Sequence, residues 1–195
     1  MSTVKELIYY CKEEHPIGAL LLAGEWGCGK TYVIEKDLTD ALADTHIIVR
    51  CSLFGVNSID ILHRAVKNAW LNACMPVIGK IHDEISNEKQ SLSVLTPFLK
   101  MINPVAAASA DAVLTVNSLD MVHILPEIED PLHGTKKVIL VFDDLERSKL
   151  DLVELLGAIN EYCENKHFNT IIITNQNTSI HSMKDSDISY NILKE

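Results

Sequence analysis

The run Gly24-Glu25-Trp26-Gly27-Cys28-Gly29-Lys30-Thr31 has residue types and spacing suited to one task, the holding of a polyphosphate. It satisfies G-x-x-x-x-G-K-[ST], the P-loop or Walker A pattern, at every specified position. Glycines let the backbone turn tightly with several N–H groups facing inward, and a helix that starts just after the loop adds the positive end of its dipole. Lys30 brings an ammonium group to the β and γ phosphates. Thr31 brings a hydroxyl to Mg²⁺, which takes an octahedral shell of hard oxygens shared among protein, phosphate and water. All eight positions from Gly24 to Thr31 are expected at the nucleotide. Trp26 and Cys28 fill the variable positions, and Cys28 is expected to report on the site, its alkylation slowing when Mg-ATP is bound.

A second set of candidate residues lies far along the chain. Phe142-Asp143-Asp144-Leu145-Glu146-Arg147 follows an apolar run, and carboxylates at the C-terminal end of a strand belong in the crevice where open α/β sheets bind ligands. Asp143 is expected to hold Mg²⁺, directly or through water, in the Walker B role. Asp144 is then the group that orients and deprotonates the attacking water, with Glu146 as a rival for that base. Asn175 closes a later apolar run and is placed to touch the γ-phosphate or the water as a polar sensor. The chain has only three arginines, Arg50, Arg64 and Arg147, so each is a candidate for a specific role. Arg147 can reach across a subunit boundary, brace the acidic loop or pair with a neighbouring carboxylate.

The elements that must position these groups can be read from periodicity. Val4, Leu7, Ile8 and Cys11 recur at helical spacing, so a short amphipathic helix opens the chain and ends before Pro16. Residues 17–23 are nearly all apolar, the pattern of a strand buried on both faces of a parallel sheet. Helix-forming sequence follows the glycines to about Ala43. A second buried strand is expected over 46–51, with Ser52-Leu53-Phe54-Gly55 as its exit. Asn57 or Ser58 caps a helix with Ile59, Leu62, Val66, Ala69 and Ala73 on one stripe, running until Pro76. Residues 77–134 show no dominant period and read as a mostly helical insertion. Val138 to Phe142 is a third buried strand. Ser148 and Asp151 stand at capping-box spacing ahead of a helix that carries Leu152, Leu156 and Ile159. Residues 170–174 form a fourth strand, after which the chain is polar and turn-rich, with a helix starting near its last residues. Alternating strands and helices imply an α/β fold with a mostly parallel sheet, in one domain spanning 1–195.

Composition narrows the function further. The 195 residues are 47% hydrophobic and 23% charged, enough for an ordinary core, which excludes collagenous, disordered and disulfide-scaffold classes. A net charge of −10 repels polyphosphate backbones, so no direct nucleic-acid signal is present. The five cysteines form no C-x-x-C pair, which fits reduced thiols and a cytoplasmic location. The most apolar stretch, 104–116, contains Asp111 and is well short of the roughly 20 residues of a membrane span. None of the eight histidines sits in H-E-x-x-H, and no G-x-S-x-G elbow occurs, so zinc-hydrolase and α/β-hydrolase chemistry lack their signals.

Taken together, Gly24 to Thr31, the apolar run Val138-Ile139-Leu140-Val141-Phe142 with Asp143-Asp144-Leu145-Glu146-Arg147, Ser52 to Gly55 and Ile172-Ile173-Thr174-Asn175 resemble the KAP-type P-loop NTPases, relatives of the AAA+ and STAND ATPases. The family pattern is G-x-W-G-x-G-K-T with hhhhDD-L-[DE]-R. The resemblance implies a three-layer P-loop fold with strand order 5-1-4-3-2, ATP rather than GTP as ligand, Mg²⁺ as cofactor, and nucleotide-driven switching or assembly. Some relatives carry transmembrane helices between the two motifs, and none is expected here. Relatives also continue into a fifth strand, an arginine finger and a helical lid. No candidate for these is legible, so a truncated 1-4-3-2 sheet without a lid is the other expectation. An arginine finger is worth 10³ to 10⁵ in rate in other NTPases, so hydrolysis without one is expected to be slow.

The sequence therefore points to an ATPase that uses Mg²⁺ to drive a conformational or assembly switch, with ATP and ADP as ligands and a second copy or an effector protein as partner. The alternative is a nucleotide-binding regulatory or interaction module with little or no hydrolysis. Small-molecule kinases share the loop, but they pass phosphate to a bound acceptor and lack the second acid, which makes Asp144 an argument for water as acceptor. A third reading makes residues 77–134 a partner-docking surface with nucleotide as a structural ligand.

Overall fold

The computed structural model describes residues 3–85, 124–130, 134–175 and 191–194. Four largely apolar runs form the body of one sheet: β1 (Leu20–Gly24), β2 (His46–Ser52), β4 (Gly134–Asp143) and β5 (Asn169–Asn175). Two short strands complete it, β3 (Glu127–Asp130) and β6 (Asn191–Lys194). The helices are α1 (Thr3–Cys11), α2 (residues 30–42, with a π-type turn over Val33–Leu38), α3 (Ile59–Ile85) and α4 (Leu152–Asn160).

The strands run in the order β2-β4-β5-β1-β6, every neighbouring pair parallel, while β3 pairs antiparallel with the start of β4. Counting only the parallel strands along the chain, this is 5-1-4-3-2. Alternation along each strand sorts the apolar side chains into two cores. Leu21, Val49, Leu140, Phe142 and Ile172 pack with Leu62, Val66, Trp70 and Leu156 of α3 and α4 on one face. Leu20, Leu22, Ile139, Val141 and Ile173 pack with Leu7 and Tyr10 of α1 and Ile34, Leu38 and Leu42 of α2 on the other. The result is the expected α/β three-layer arrangement, with helices on both faces of a parallel sheet.

Several elements depart from the sequence reading, each for a physical reason. The truncated 1-4-3-2 sheet is corrected, because β6 pairs with β1 from Leu20 to Ala23. The apolar β1 would otherwise present an open edge, and four residues are too few for a legible period. The same strand replaces the helix expected near the last residues. The insertion is not purely helical at its end: β3 covers the part of β4 that precedes its pairing with β5, which begins at Ile139. Val138 N–H donates to Pro126 C=O at 2.6 Å in that hairpin. The centre of the insertion, 86–123, and residues 131–133 and 176–190 lie outside the described residues. Pro76 does not end α3, which continues to Ile85. Val77, Ile81 and Ile85 resume the helical period beyond it, and the first turns are already anchored by buried Leu62, Val66 and Trp70. Strand β1 starts at Leu20 rather than Ile17, which is 88% exposed.

Ser58 does cap α3, its Oγ accepting from Ile61 N–H at 3.3 Å. The cap of α4 is Asp151 rather than Ser148: Asp151 Oδ1 accepts from Val153 N–H at 2.9 Å and Glu154 N–H at 3.3 Å. Ser148 instead donates to Val56 C=O and accepts from Leu150 N–H, each at 3.2 Å, fixing the loop before the helix. Replacing Asp151 by Ala is expected to cost about 1 kcal/mol in a urea unfolding titration, the usual worth of an N-cap oxygen. The Ser148→Ala protein should leave the helical cap intact, and an equal or larger loss there with none in Asp151→Ala would contradict this assignment.

Candidate functional site

Gly24 is the last residue of β1, and the chain must turn within five residues to start α2 at Lys30. Gly27 and Gly29 make the turn with φ of +80° and +96°, a region that disfavours side chains. At Gly24 the constraint is space instead, since a Cβ there would lie 2.8 Å from Cys28 Sγ and the thiol would have to turn away. Gly29 C=O accepts the N–H of Val33 at 2.9 Å and so opens the helix. The Lys30 side chain folds back over the loop, Nζ donating to Gly24 C=O and Glu25 C=O at 2.7 Å each. Its ammonium is thereby held above the loop.

The acidic residues meet this loop because β4 ends beside it. Asp143 is the last residue of β4, opposite Ser52 in register, and is only 5% exposed. A carboxylate buried to this extent requires charged or hydrogen-bonding partners. Arg50 supplies them: Nε and Nη2 both donate to Asp143 Oδ2, at 3.0 and 2.6 Å, and Nη1 pairs with Glu35 of α2. Thr31 Oγ1 donates to the same Oδ2 at 3.4 Å, while Oδ1 accepts from Asp144 N–H at 2.8 Å. Burial works against the Arg50 charge, but its hydrogen bond to Asp143, the Asp143 charge and then Glu35 overcome it, holding the guanidinium pKa above its ordinary value.

After Asp143 the chain turns sharply. Asp144 adopts a left-handed conformation with φ of 61°, followed by a 3₁₀ turn over Leu145–Arg147. Its side chain accepts from Ser52 Oγ at 3.2 Å and pairs with Arg147 Nε at 3.6 Å. The Arg147 guanidinium lies over the Trp26 ring, 4.5 Å from its centre, and 5.7 Å from that of Phe54. It therefore braces the acidic loop and pairs with a neighbouring carboxylate, two of the roles expected for it. Glu146 Oε2 accepts from Thr174 Oγ1 at 3.4 Å and from Asn175 N–H at 3.2 Å, tying the turn to the end of β5.

These groups surround an open cleft of about 270 Å³. Trp26, Gly27, Gly29, Lys30 and Thr31 line it from the loop side, and Asp143, Asp144 and Glu146 from the acidic side. Gly24, Glu25 and Cys28 form the loop without lining the cleft. Asn175 is buried behind it, while its neighbours Ile173 and Thr174 reach the wall. Arg50, Glu35 and Ser52 were not assigned a role by spacing. The available signal was Arg50 itself, a charge in an otherwise apolar strand, two residues past Ile48 on the face toward α2. Thr31 and Asp143 are two hard oxygen donors side by side, which suits Mg²⁺, a cation that completes its shell with phosphate and water. Among the described residues no three His, Cys, Asp or Glu side chains gather to hold a metal by themselves.

A glycine loop between a central parallel strand and a helix, opposed by acids at the end of a neighbouring strand, is the architecture of a P-loop nucleotide-binding domain. The KAP family P-loop domain matches residues 2–193, nearly the whole chain, and the chain belongs to that family. No curated protein and no solved structure matches it. Nucleotide binding follows from the family, and among the described residues no helix is long and apolar enough to cross a membrane.

The cysteines provide a direct check on this geometry. Cys28 is exposed on the loop, whereas Cys11 and Cys51 are buried, which pushes each thiol up to about 12. In folded protein at mildly alkaline pH, a thiol reagent is expected to modify Cys28 and spare Cys11 and Cys51, read by peptide mass spectrometry. Modification of Cys51 at the rate of Cys28 would contradict the burial of β2 beneath α3.

Proposed function

We propose that this chain binds ATP in the cleft and hydrolyses it with Mg²⁺ to drive a conformational or assembly switch. The observation that carries the reading is the placement of Thr31 Oγ1 within 3.4 Å of Asp143 Oδ2, which joins the loop and the acidic strand end in one site. In this reading the N–H groups from Gly24 to Thr31 cradle the phosphates, and Lys30 leaves its two loop carbonyls for the β and γ phosphates. Thr31 and Asp143 hold the cation, which when bound offsets phosphate charge. Asp144, held by Ser52 and Arg147 at the cleft wall, orients the attacking water and takes its proton. Glu146 and Asn175 link that wall to β5, so a change at the γ-phosphate reaches the next strand. The choice of ATP over GTP rests on the family resemblance.

A second reading, a nucleotide-binding module with little turnover, is favoured by a separate observation. Both Lys30 and Asp143 are engaged by protein groups, the loop carbonyls and Arg50. The two readings diverge in measurement. Calorimetry should show Mg-ATP binding that Lys30→Ala weakens on the order of 100-fold, the loss of one charge-assisted contact in a desolvated site. Asp144→Asn should keep that binding and lower phosphate release by about 10²–10⁴-fold, the range of a general base. Wild-type protein that binds Mg-ATP yet releases no phosphate at high concentration would select the switch without hydrolysis. Unchanged binding in Lys30→Ala would overturn both.

A further inference from the structure

Arg50 stands out from the rest of the site because it occupies the oxygen that the proposed function needs. Alternation puts Ile48, Arg50 and Ser52 on the β2 face that looks toward α2, and Asp143 lies on the same face of β4. Arg50 is opposite Val141 in register, so its side chain runs diagonally forward to reach Asp143 two positions on. Oδ2 of Asp143 then has three donors, Arg50 Nε, Arg50 Nη2 and Thr31 Oγ1, and Oδ1 has the N–H of Asp144. A carboxylate oxygen has two lone pairs in plane, so Oδ2 has no free direction for a cation while the guanidinium stays.

The guanidinium also has a second partner. Glu35, on the exposed side of α2, takes Nη1 without involving Asp143, and about two-fifths of the Arg50 side chain remains accessible at 38%. Letting go of Asp143 therefore leaves Arg50 paired at the surface, where a charge is hydrated, rather than stranded in the core. The groups around it are two carboxylates of unequal burial: Asp143 with an 8% exposed side chain and Glu35 with a 55% exposed one.

We propose that Arg50 is a displaceable counter-ion of Asp143, competing with a divalent cation for the same carboxylate and withdrawing onto Glu35 when that cation enters with phosphate. This rests on Asp143 being the cation-holding residue of the proposed function. Arg50 keeps the buried carboxylate neutralised in the absence of ligand and makes Mg²⁺ alone a poor ligand, so that cation entry is coupled to nucleotide. Its place is regulatory, and it acts through Asp143 rather than on the reacting atoms.

The test uses Mn²⁺ alone as probe, titrated into the full chain without nucleotide and followed by electron paramagnetic resonance. Arg50→Gln is expected to bind Mn²⁺ at least about tenfold more tightly than wild type, the scale on which partners of metal ligands alter affinity. Lys36→Gln, which removes an equally positive side chain of α2 that pairs with Asp40 at the surface, should leave Mn²⁺ affinity unchanged. Arg50→Lys keeps the charge but loses the fork, and is expected to bind severalfold more tightly than wild type. It decides the matter if circular dichroism shows Arg50→Gln to be unfolded. Equal Mn²⁺ affinity in wild type and the folded Arg50 variants, or an equal gain in Lys36→Gln, would overturn the proposal. Tight binding that survives in Arg50→Gln combined with Asp143→Asn would overturn instead the assignment of Asp143 to the cation.

Discussion

Asp143 is a carboxylate at 5% exposure, at the point where β4 leaves the core, and an ionised group in that position is stable only where charge and hydrogen bonds meet it from several sides. Arg50 from β2, Thr31 from the first turn of α2 and the N–H of Asp144 meet it here. Each comes from a different element, so the carboxylate is satisfied only when β2, β4 and α2 are in their native places. Ser52 opposite Asp143 in the parallel register brings the next acid into reach of a hydroxyl as well. A slip of β2 by one residue would send Arg50 to the opposite face, among Leu62, Val66 and Trp70, and leave Asp143 buried without its cation.

The same alternation explains why the two halves of the site can coexist with two cores. Leu140 and Phe142 face α3 and α4 while Ile139 and Val141 face α1 and α2, so Asp143 continues the second series and emerges beside Thr31. The phosphate loop lies at the same rim because β1 is parallel to β5 and one strand removed from β4, and all three end on one side. Gly24 pairs with Asn175, which puts the start of the loop level with the end of β5. The chemistry is thus a consequence of strand direction, and the helices contribute the packing that holds that direction.

Much of this was legible in the residues. Apolar runs at β1, β4 and β5, and at β2 on either side of Arg50, announce buried strands, and an eight-residue loop followed by helix-forming sequence announces a P-loop domain, because both signals are local. Signals that depend on partners were not legible. The four residues of β6 and the four of β3 become strands only because β1 and the start of β4 have edges to cover. Pro76 reads as a breaker by propensity, yet packing earlier in α3 carries the helix through it. Asp151 and Ser148 exchanged roles because capping-box spacing fits either residue, and only the loop's bonds to Val56 decide between them. Arg50 was visible as a rare arginine, but its partner is 93 residues away, a separation that no local pattern spans.

The acidic turn itself leaves little freedom for the backbone. Leu53 N–H donates to Asp143 C=O at 2.8 Å, Gly55 N–H to Arg147 C=O at 3.2 Å, and Lys149 N–H to Val56 C=O at 2.8 Å, so the exits of β2 and β4 are laced together. Glu146 adds the tie to β5, and Arg147 anchors the turn across Trp26, which is 59% exposed, and Phe54, which is 68% exposed. With the backbone held on three sides, a response to ligand falls first to the long side chains that reach into the cleft from its walls. Lys30 and Arg50 are two such cations, Lys30 held by the carbonyls of Gly24 and Glu25 and Arg50 by Asp143 and Glu35. In the proposed mode of binding Lys30 leaves its loop carbonyls for phosphate and Arg50 leaves Asp143 for Glu35, so both responses are side-chain movements that need no rearrangement of the sheet.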